Sequence, residues 1–406
     1  MVRDLCSKRT AADKIMNKMN ENRKARVIAF YLPQFHPTPE NDYYWGKGFT
    51  EWTNVGKAKP LFKGHNQPRV PADLGYYDLR LPEVREQQAK MAKEAGIEGF
   101  CYWHYWFGNG KMTLERPFQE VLESGKPDYP FCLGWANHSW SNKTWTKTSQ
   151  FSKDMMIFEQ CYPGVKDDIA HFEYVLKAFK DKRYICVDGK PLFLVFKPLE
   201  VPHMKSFIEL WQKLAIENGL KGIYFVGIAH TASNYIYKYG LKIPRIPRTD
   251  ETAMYCLQTL NLGFDAVNTR GLWRAEVLSK GAFLKVIYAG LKKIGFDFVE
   301  KYDYNKIIDN FYTEEEKKEN IYPTILPQWD RTPRCGLKAP IYVNSTPSNF
   351  GKAIERVLKM IDEKKEEHKI MFLMSWNEWG EGNYVEPDLK YHDGYLKVLR
   401  EKIVNK

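Results

Sequence analysis

The stretch MFLMSWNEWGEGNYVEP, Met371 to Pro387, carries the reading of this chain. It opens as an apolar run of the kind a parallel strand buried on both faces requires. It then passes directly into tryptophans, glycines and three carboxylates, Glu378, Glu381 and Glu386. Seven similar apolar runs precede it: RVIAFYLP from Arg26, GFCYWHYW from Gly99, FCLGWAN from Phe131, PLFLVFKP from Pro191, GIYFVGIAH from Gly222, FDAVNT from Phe264 and YPTILPQWD from Tyr322. Helical patterns lie between most of them, as in LPEVREQQAKMAKEAG, DDIAHFEYVLKAFKD, MKSFIELWQKLAIENG and SNFGKAIERVLKMIDEKKEEH, and GYLKVLREKIVNK follows the last. Gly96, Gly189 and Gly219 fit helix stops that lead into strands. Eight strands alternating with helices predict an α/β fold, a (β/α)8 TIM barrel. The competing architecture, an open doubly wound sheet, lacks the glycine-rich phosphate loops that usually follow its strands.

Two segments exceed a minimal barrel. Asp42 to Tyr77, after strand one, is long, aromatic and glycine-rich, and Arg274 to Tyr304, after strand six, contains the amphipathic pattern EVLSKGAFLKVIYAGLKKIGFDF. The expected organisation is a polar extension over residues 1–25 and one catalytic barrel domain over 26–406.

The chain has 406 residues, 44% of them hydrophobic, which bounds it as a globular protein with a sizeable core. Its net charge of +11 is scattered rather than clustered, so a lysine-rich surface explains most of it. No nucleic-acid partner is expected. The basic amphipathic segment near 276–300 is a candidate for peripheral contact with an anionic membrane. Seven cysteines in no C-x-x-C spacing predict free thiols and no zinc site. The polar N-terminus has no apolar signal core, and no run of ~18 apolar residues exists. These features predict a cytoplasmic protein, associated at most with the inner face of a membrane. No cofactor and no metal are expected.

In a barrel enzyme the chemistry sits where strands end. The substrate-binding candidates are Tyr31, Gln34, His36, Trp45, Glu51 and Trp52 after strand one; Tyr102, Trp103, His104 and Trp106 at strand two; and Trp135, Asn137 and His138 at strand three. Trp329, Asp330 and Arg334 follow strand seven, and Trp376, Asn377, Trp379 and Glu386 surround the acidic pair. Tyr105, Trp140, Lys197, His230, Asn268 and Arg270 occupy comparable places. Aromatic faces interleaved with Asn, His and carboxylates suit a sugar ring, with its apolar C–H faces and hydroxyl edges. Glu378 and Glu381, three apart in a glycine-containing turn, are the catalytic candidates, because two carboxyl groups across a glycosidic bond are the usual equipment for its hydrolysis. One must hold a proton while the other is ionised, and burial with like charge nearby separates pKa values in that way.

The segments YLPQFHPTPENDYYWGKGFTEWTNV, GFCYWHYWF, LGWANHSW and MSWNEWGEGNYVEPD together resemble the WbsX-like proteins, which are glycoside hydrolase family 99-like domains of bacterial polysaccharide gene sets. The resemblance runs from about Arg26 to about Leu399. It implies a TIM-type barrel and, by analogy with family 99, a retaining, endo-acting hydrolase of a mannose- or rhamnose-containing glycan. It further implies that Glu378 deprotonates the sugar 2-hydroxyl, which attacks its own anomeric carbon to give a 1,2-anhydro intermediate, while Glu381 is the general acid and then base. Two alternatives stand beside hydrolysis. One is a glycosyltransferase of cell-surface polysaccharide synthesis, for which Lys197, Arg270, Arg331 and Arg334 are candidate phosphate ligands. The other is a non-catalytic glycan-binding barrel.

Overall fold

The computed structural model describes residues 23–141, 156–229, 235–238, 241–244, 250–296 and 298–405. His230 and most of the N-terminal extension lie outside the described residues.

Every apolar run singled out above contains a barrel strand. These are β1 (Arg26–Tyr31), β2 (Gly99–His104), β3 (Phe131–Trp135), β4 (Lys190–Val195), β5 (Tyr224–Ala229), β6 (Ala266–Thr269), β7 (Ile321–Tyr322 and Thr324–Ile325) and β8 (Ile370–Leu373). All pair in parallel, and the sheet path runs through nine segments whose two ends are the halves of β7. Pro323, which has no N–H to donate, divides them. Its carbonyl still accepts from Phe372 at 2.9 Å, and Ile325 O accepts from Met374 N at 3.0 Å. The first half of β7 pairs with β6 and the second with β8, so one stretch of chain joins the two ends of the sheet.

The strands are almost wholly buried because helices cover the outside while side chains fill the inside. Helix Pro347–Ile361 shows how a helix is placed. Thr346 caps it by accepting from Asn349 N at 3.2 Å, Pro347 starts it, and Phe350, Ala353, Ile354, Val357 and Ile361 form the buried stripe. Gly96 has φ +85 just past helix Pro82–Glu94, as its position in the sequence predicts. Gly189 does not stop a helix. The preceding helix ends at Phe179, and Asp188 and Gly189, with φ of 51 and 70, form the two-residue turn of a hairpin joining Cys186–Val187 to β4.

The segment after β1 folds over the carboxyl end of the barrel and carries two short helices, Pro39–Trp45 and Glu51–Lys57. The segment after β6 forms two helices, Leu272–Lys280 and Ala282–Lys293, where one was expected. A strand that follows them, Glu300–Asp303, pairs with Pro340–Val343 from the segment after β7. The Lys301 ammonium stands 3.6 Å from the centroid of Phe62, which follows β1. The insert therefore belongs to the carboxyl rim. Among the described residues, no helix is long and apolar enough to cross a membrane, and the described cysteines are free thiols.

Candidate active site

After β8 the chain makes a small hairpin. Asn377–Glu378 pairs with Asn383–Tyr384 around the turn Trp379–Glu381 and Gly382, whose φ is +61. The two glycines have separate reasons. A Cβ on Gly382 would lie 2.9 Å from Asp330 atoms, and one on Gly380 would lie 1.5 Å from Glu51 Oε1. Both permit close approach of the segments that follow β7 and β1. Asn377 fixes the hairpin to the end of β1, accepting from Leu32 N at 2.8 Å and donating to Leu32 O at 3.0 Å.

Arg334, after β7, is the hub of the site. Its Nε and Nη2 donate to the two oxygens of Glu51, each at 3.0 Å. Nη2 also donates to Glu378 Oε1, and Nη1 lies 2.9 Å from Glu381 Oε1. Arg331 adds a second contact to Glu381 Oε1, at 3.1 Å. Three carboxylates from two distant parts of the chain thus share one guanidinium, and two arginines share Glu381.

The charges divide the pair. Burial pushes the Glu378 carboxyl up to about 7 against the pull of Arg334, with Glu381 and Glu51 adding to the rise. Burial acts on Glu381 too, but Arg331 and Arg334 outweigh it and hold Glu381 below its ordinary value. A proton shared by the pair therefore favours Glu378 over Glu381. Glu51, with no exposed surface, is raised by burial against Arg334.

Glu378 and Glu381 open into one cleft of about 310 Å³, lined also by Gln34, Trp103, Tyr105, His138, Trp140, Phe196, Arg270, Arg331, Arg334 and Asn383. Burial and the charge of Lys197 lower His138 to about 4, which leaves a neutral imidazole with a free ring nitrogen at the cleft wall. Leu32, Ala136, Met374 and Ser375 complete the lining.

Side-chain alternation sorts the remaining candidates. Trp103 and Tyr105 face the cleft, whereas Tyr102, His104 and Trp106 face the helices. His104 Nε2 meets His171 Nε2 at 2.8 Å, and Trp106 donates to Asp167 at 3.0 Å. Past the end of β3, Ala136, His138 and Trp140 line the cleft, while Trp135 and Asn137 tie neighbouring segments together through Trp106 O and the backbone of Lys197. Tyr31 donates to Gln88 at 2.6 Å, and His36 bonds Pro33 O at 3.0 Å. Trp45 packs on Phe49, and Trp52 donates to Tyr77 O at 2.7 Å. Trp329 packs on Tyr342 and Trp376 on Phe100.

Two carboxylates sit beside the cleft rather than in it. Glu386 accepts from Trp379 Nε1 at 2.6 Å, Gln88 at 2.7 Å and Tyr77 at 2.9 Å, and so fastens the hairpin from behind. Asp330 accepts from His65 at 2.9 Å, Gln67 at 2.7 Å and Thr332 at 2.6 Å. The His65 tautomer is fixed, because Leu61 N–H donates to its Nδ1 at 3.1 Å. Burial would raise Asp330, but these hydrogen bonds and Arg69 hold it well below the usual carboxylate range. Among the described residues, no group of three or more His, Cys, Asp or Glu side chains is placed to hold a metal ion.

The family model described as "glycosyltransferase WbsX" matches residues 27–399, nearly the whole chain. The chain belongs to the WbsX family. Two curated relatives of this WbsX member, both named "uncharacterized protein WxcX", come from two strains of Xanthomonas campestris pv. campestris. Each is 33% identical over 385 residues, covering 94% of this chain and 50% of the relative. The chain thus spans about half the length of the curated relatives it matches. Among solved structures, a "glycoside hydrolase-like protein" aligns with TM-score 0.57 at 15% identity, covering 94% of each chain. The family 99 endo-α-mannosidase of Bacteroides thetaiotaomicron, in complex with bis-tris propane, aligns with TM-score 0.52 at 14% identity, covering 93% of this chain and 95% of that one. This WbsX member therefore has a glycoside hydrolase-like TIM barrel.

Proposed function

We propose that this WbsX domain is a carbohydrate-active enzyme that cleaves glycosidic bonds in a mannose- or rhamnose-containing polysaccharide, retaining the anomeric configuration and cutting within chains. One observation carries the reading: Glu378 and Glu381 enter a single aromatic-walled cleft, where burial raises Glu378 while two arginines hold Glu381 low. Trp103, Tyr105 and Trp140 offer faces for sugar C–H surfaces, and Gln34, His138 and Asn383 offer hydrogen-bonding groups. The family 99-like barrel supports the reaction class. In the roles implied by the resemblance, Glu381 carries the proton once glycan is bound. A ligand that draws Arg331 away from Glu381 removes part of the charge that keeps it ionised, and the proton then shifts toward Glu381. The test is incubation with bacterial glycans and product analysis. Release of new reducing ends with water alone supports hydrolysis.

A second reading, glycosyl transfer, is favoured by the family description. Product formation only with an activated sugar donor would select it. Of the four basic residues considered for a donor phosphate, Lys197 is paired with Glu200 at 2.8 Å and Arg334 is held by carboxylates.

The pair predicts a pH profile. The active form holds one proton, and this is lost as pH rises through about 7, the value to which burial raises Glu378. Turnover should therefore fall about tenfold per pH unit well above 7. On the acid side it should persist below the ordinary glutamate range, because Glu381 is held low. A rate that keeps rising to pH 9 contradicts this charge arrangement.

We also propose that the rim helix Ala282–Lys293 rests on a membrane surface. Phe283 is 76% exposed and Ile294 71%, with Val286, Ile287 and Phe296 beside them. Lys285 is turned inward to Glu276 at 3.2 Å and Glu300 at 3.0 Å, so apolar burial rather than that lysine supplies the contact. Cosedimentation with phosphatidylglycerol-containing vesicles should weaken about tenfold in a Phe283→Asp, Ile287→Asp variant. Unchanged partitioning would refute the contact.

A further inference from the structure

Arg270 follows β6 and lines the cleft, yet the hydrolytic reading gives it no role. Its guanidinium carbon lies 4.4 Å from the Phe30 ring centroid, with Trp103 at 5.6 Å and Phe196 at 5.7 Å. These rings fix the plane of the group. Its Nε and Nη2 are buried and have no hydrogen-bond partner. Burial pulls its pKa down to about 10, which still leaves a cation near neutral pH.

The two unpartnered nitrogens define a shape. Nε–H and Nη2–H point from one edge of a guanidinium, the edge that takes both oxygens of a carboxylate side-on. Arg334 shows this in the same cleft, where Nε and Nη2 hold the two oxygens of Glu51 at 3.0 Å each. The nearby carboxylates Glu378 and Glu381 contact Arg334, and Glu381 contacts Arg331 as well. Of the arginines that line the cleft, Arg334 has this edge filled by the protein's own carboxylate, whereas Arg270 has its edge unmatched and covered, so a ligand reaches it only by parting the contacts over that edge. A buried guanidinium without matched acceptors is costly, and a ligand supplying two anionic oxygens relieves that cost.

We propose that the Arg270 edge receives the carboxylate of a uronic acid residue, so that the glycan handled here is acidic. The inference rests on the cleft being a glycan site and narrows its substrate class. A sugar ring bearing a planar carboxylate meets both features of this wall, aromatic faces and a two-pronged cation.

The test titrates the full chain with D-glucuronate, D-galacturonate and D-mannuronate and with the neutral sugars glucose, galactose and mannose, followed by ligand-observed NMR and tryptophan fluorescence. Methyl phosphate and uridine diphosphate are the comparison anions. At least one uronate should bind about 10-fold more tightly than its neutral counterpart. That advantage should vanish in Arg270→Met and shrink in Arg270→Lys, which keeps the charge but loses the fork. Thermal melts of both variants check folding. Equal binding of acidic and neutral sugars overturns the inference while leaving the glycan reading standing. So does a uronate preference that survives in both variants. Binding of methyl phosphate or uridine diphosphate through Arg270, with none of the uronates, overturns it in favour of a phosphate site. If no sugar of either kind binds the wild type, the glycan reading falls and takes this inference with it.

Discussion

Glu378→Gln and Glu381→Gln should each slow glycan turnover by about 100-fold or more. Each change keeps the shape of the side chain and removes the ability to exchange a proton. The amide oxygen of a glutamine at 378 can still accept from Arg334, so the hairpin stays in place. KM should change little while kcat collapses, the pattern of a group that acts mainly in the transition state. The pH profile separates a chemical role from a packing role. In Glu378→Gln the limb near pH 7 should disappear from whatever activity remains, because the group raised to about 7 is gone. Near-normal rates in both variants would mean that other residues carry out the chemistry.

Arg334→Met should cost about 3–5 kcal/mol of stability as well as activity. The guanidinium is 7% exposed at its side chain and faces Glu51, Glu378 and Glu381. Removing it leaves Glu51, which has no exposed surface, without the charge that allows it to be buried. Glu51 touches Arg334 rather than the cleft, so it acts by positioning. The variant Glu51→Gln should lower activity less than either catalytic substitution. The double variant Arg334→Met, Glu51→Met should recover part of the lost stability but none of the activity, a coupling that a double-mutant cycle in urea reads directly. An unchanged denaturation midpoint in Arg334→Met would show that the three-carboxylate hub is not what holds these segments together.

The barrel was legible because a parallel strand buried on both faces must be apolar along its length, and this chain has such runs in the right number and order. Short helices such as Arg116–Ser124 and Glu251–Asn261 were harder to read, since few turns give little periodicity. The acidic pair was legible from its place at a strand end. The arginine hub was not, because Arg334 and Glu51 are 283 positions apart and only folding brings them together. The aromatic candidates were read as one set, although adjacent strand residues point to opposite sides. Trp103 faces the cleft while Tyr102 and His104 face helices, and the same alternation separates His138 from Asn137. Applying the two-residue period at each strand end would have selected Leu32 with Gln34 and Trp103 with Tyr105 in advance. Phe196 and Asn383 carried no motif to mark them; one directly follows β4 and the other comes back across the hairpin.

The central claim is that the cleft holding Glu378 and Glu381 binds and processes a glycan. A crystal structure of Glu378→Gln with a bound substrate oligosaccharide tests it most directly. The expected result is a sugar ring seated against Trp103 or Trp140, with a glycosidic oxygen within hydrogen-bond reach of the carboxyl group of Glu381 or the amide that replaces Glu378. Saccharide bound only on another face of the barrel, with this cleft closed to it, would contradict the account.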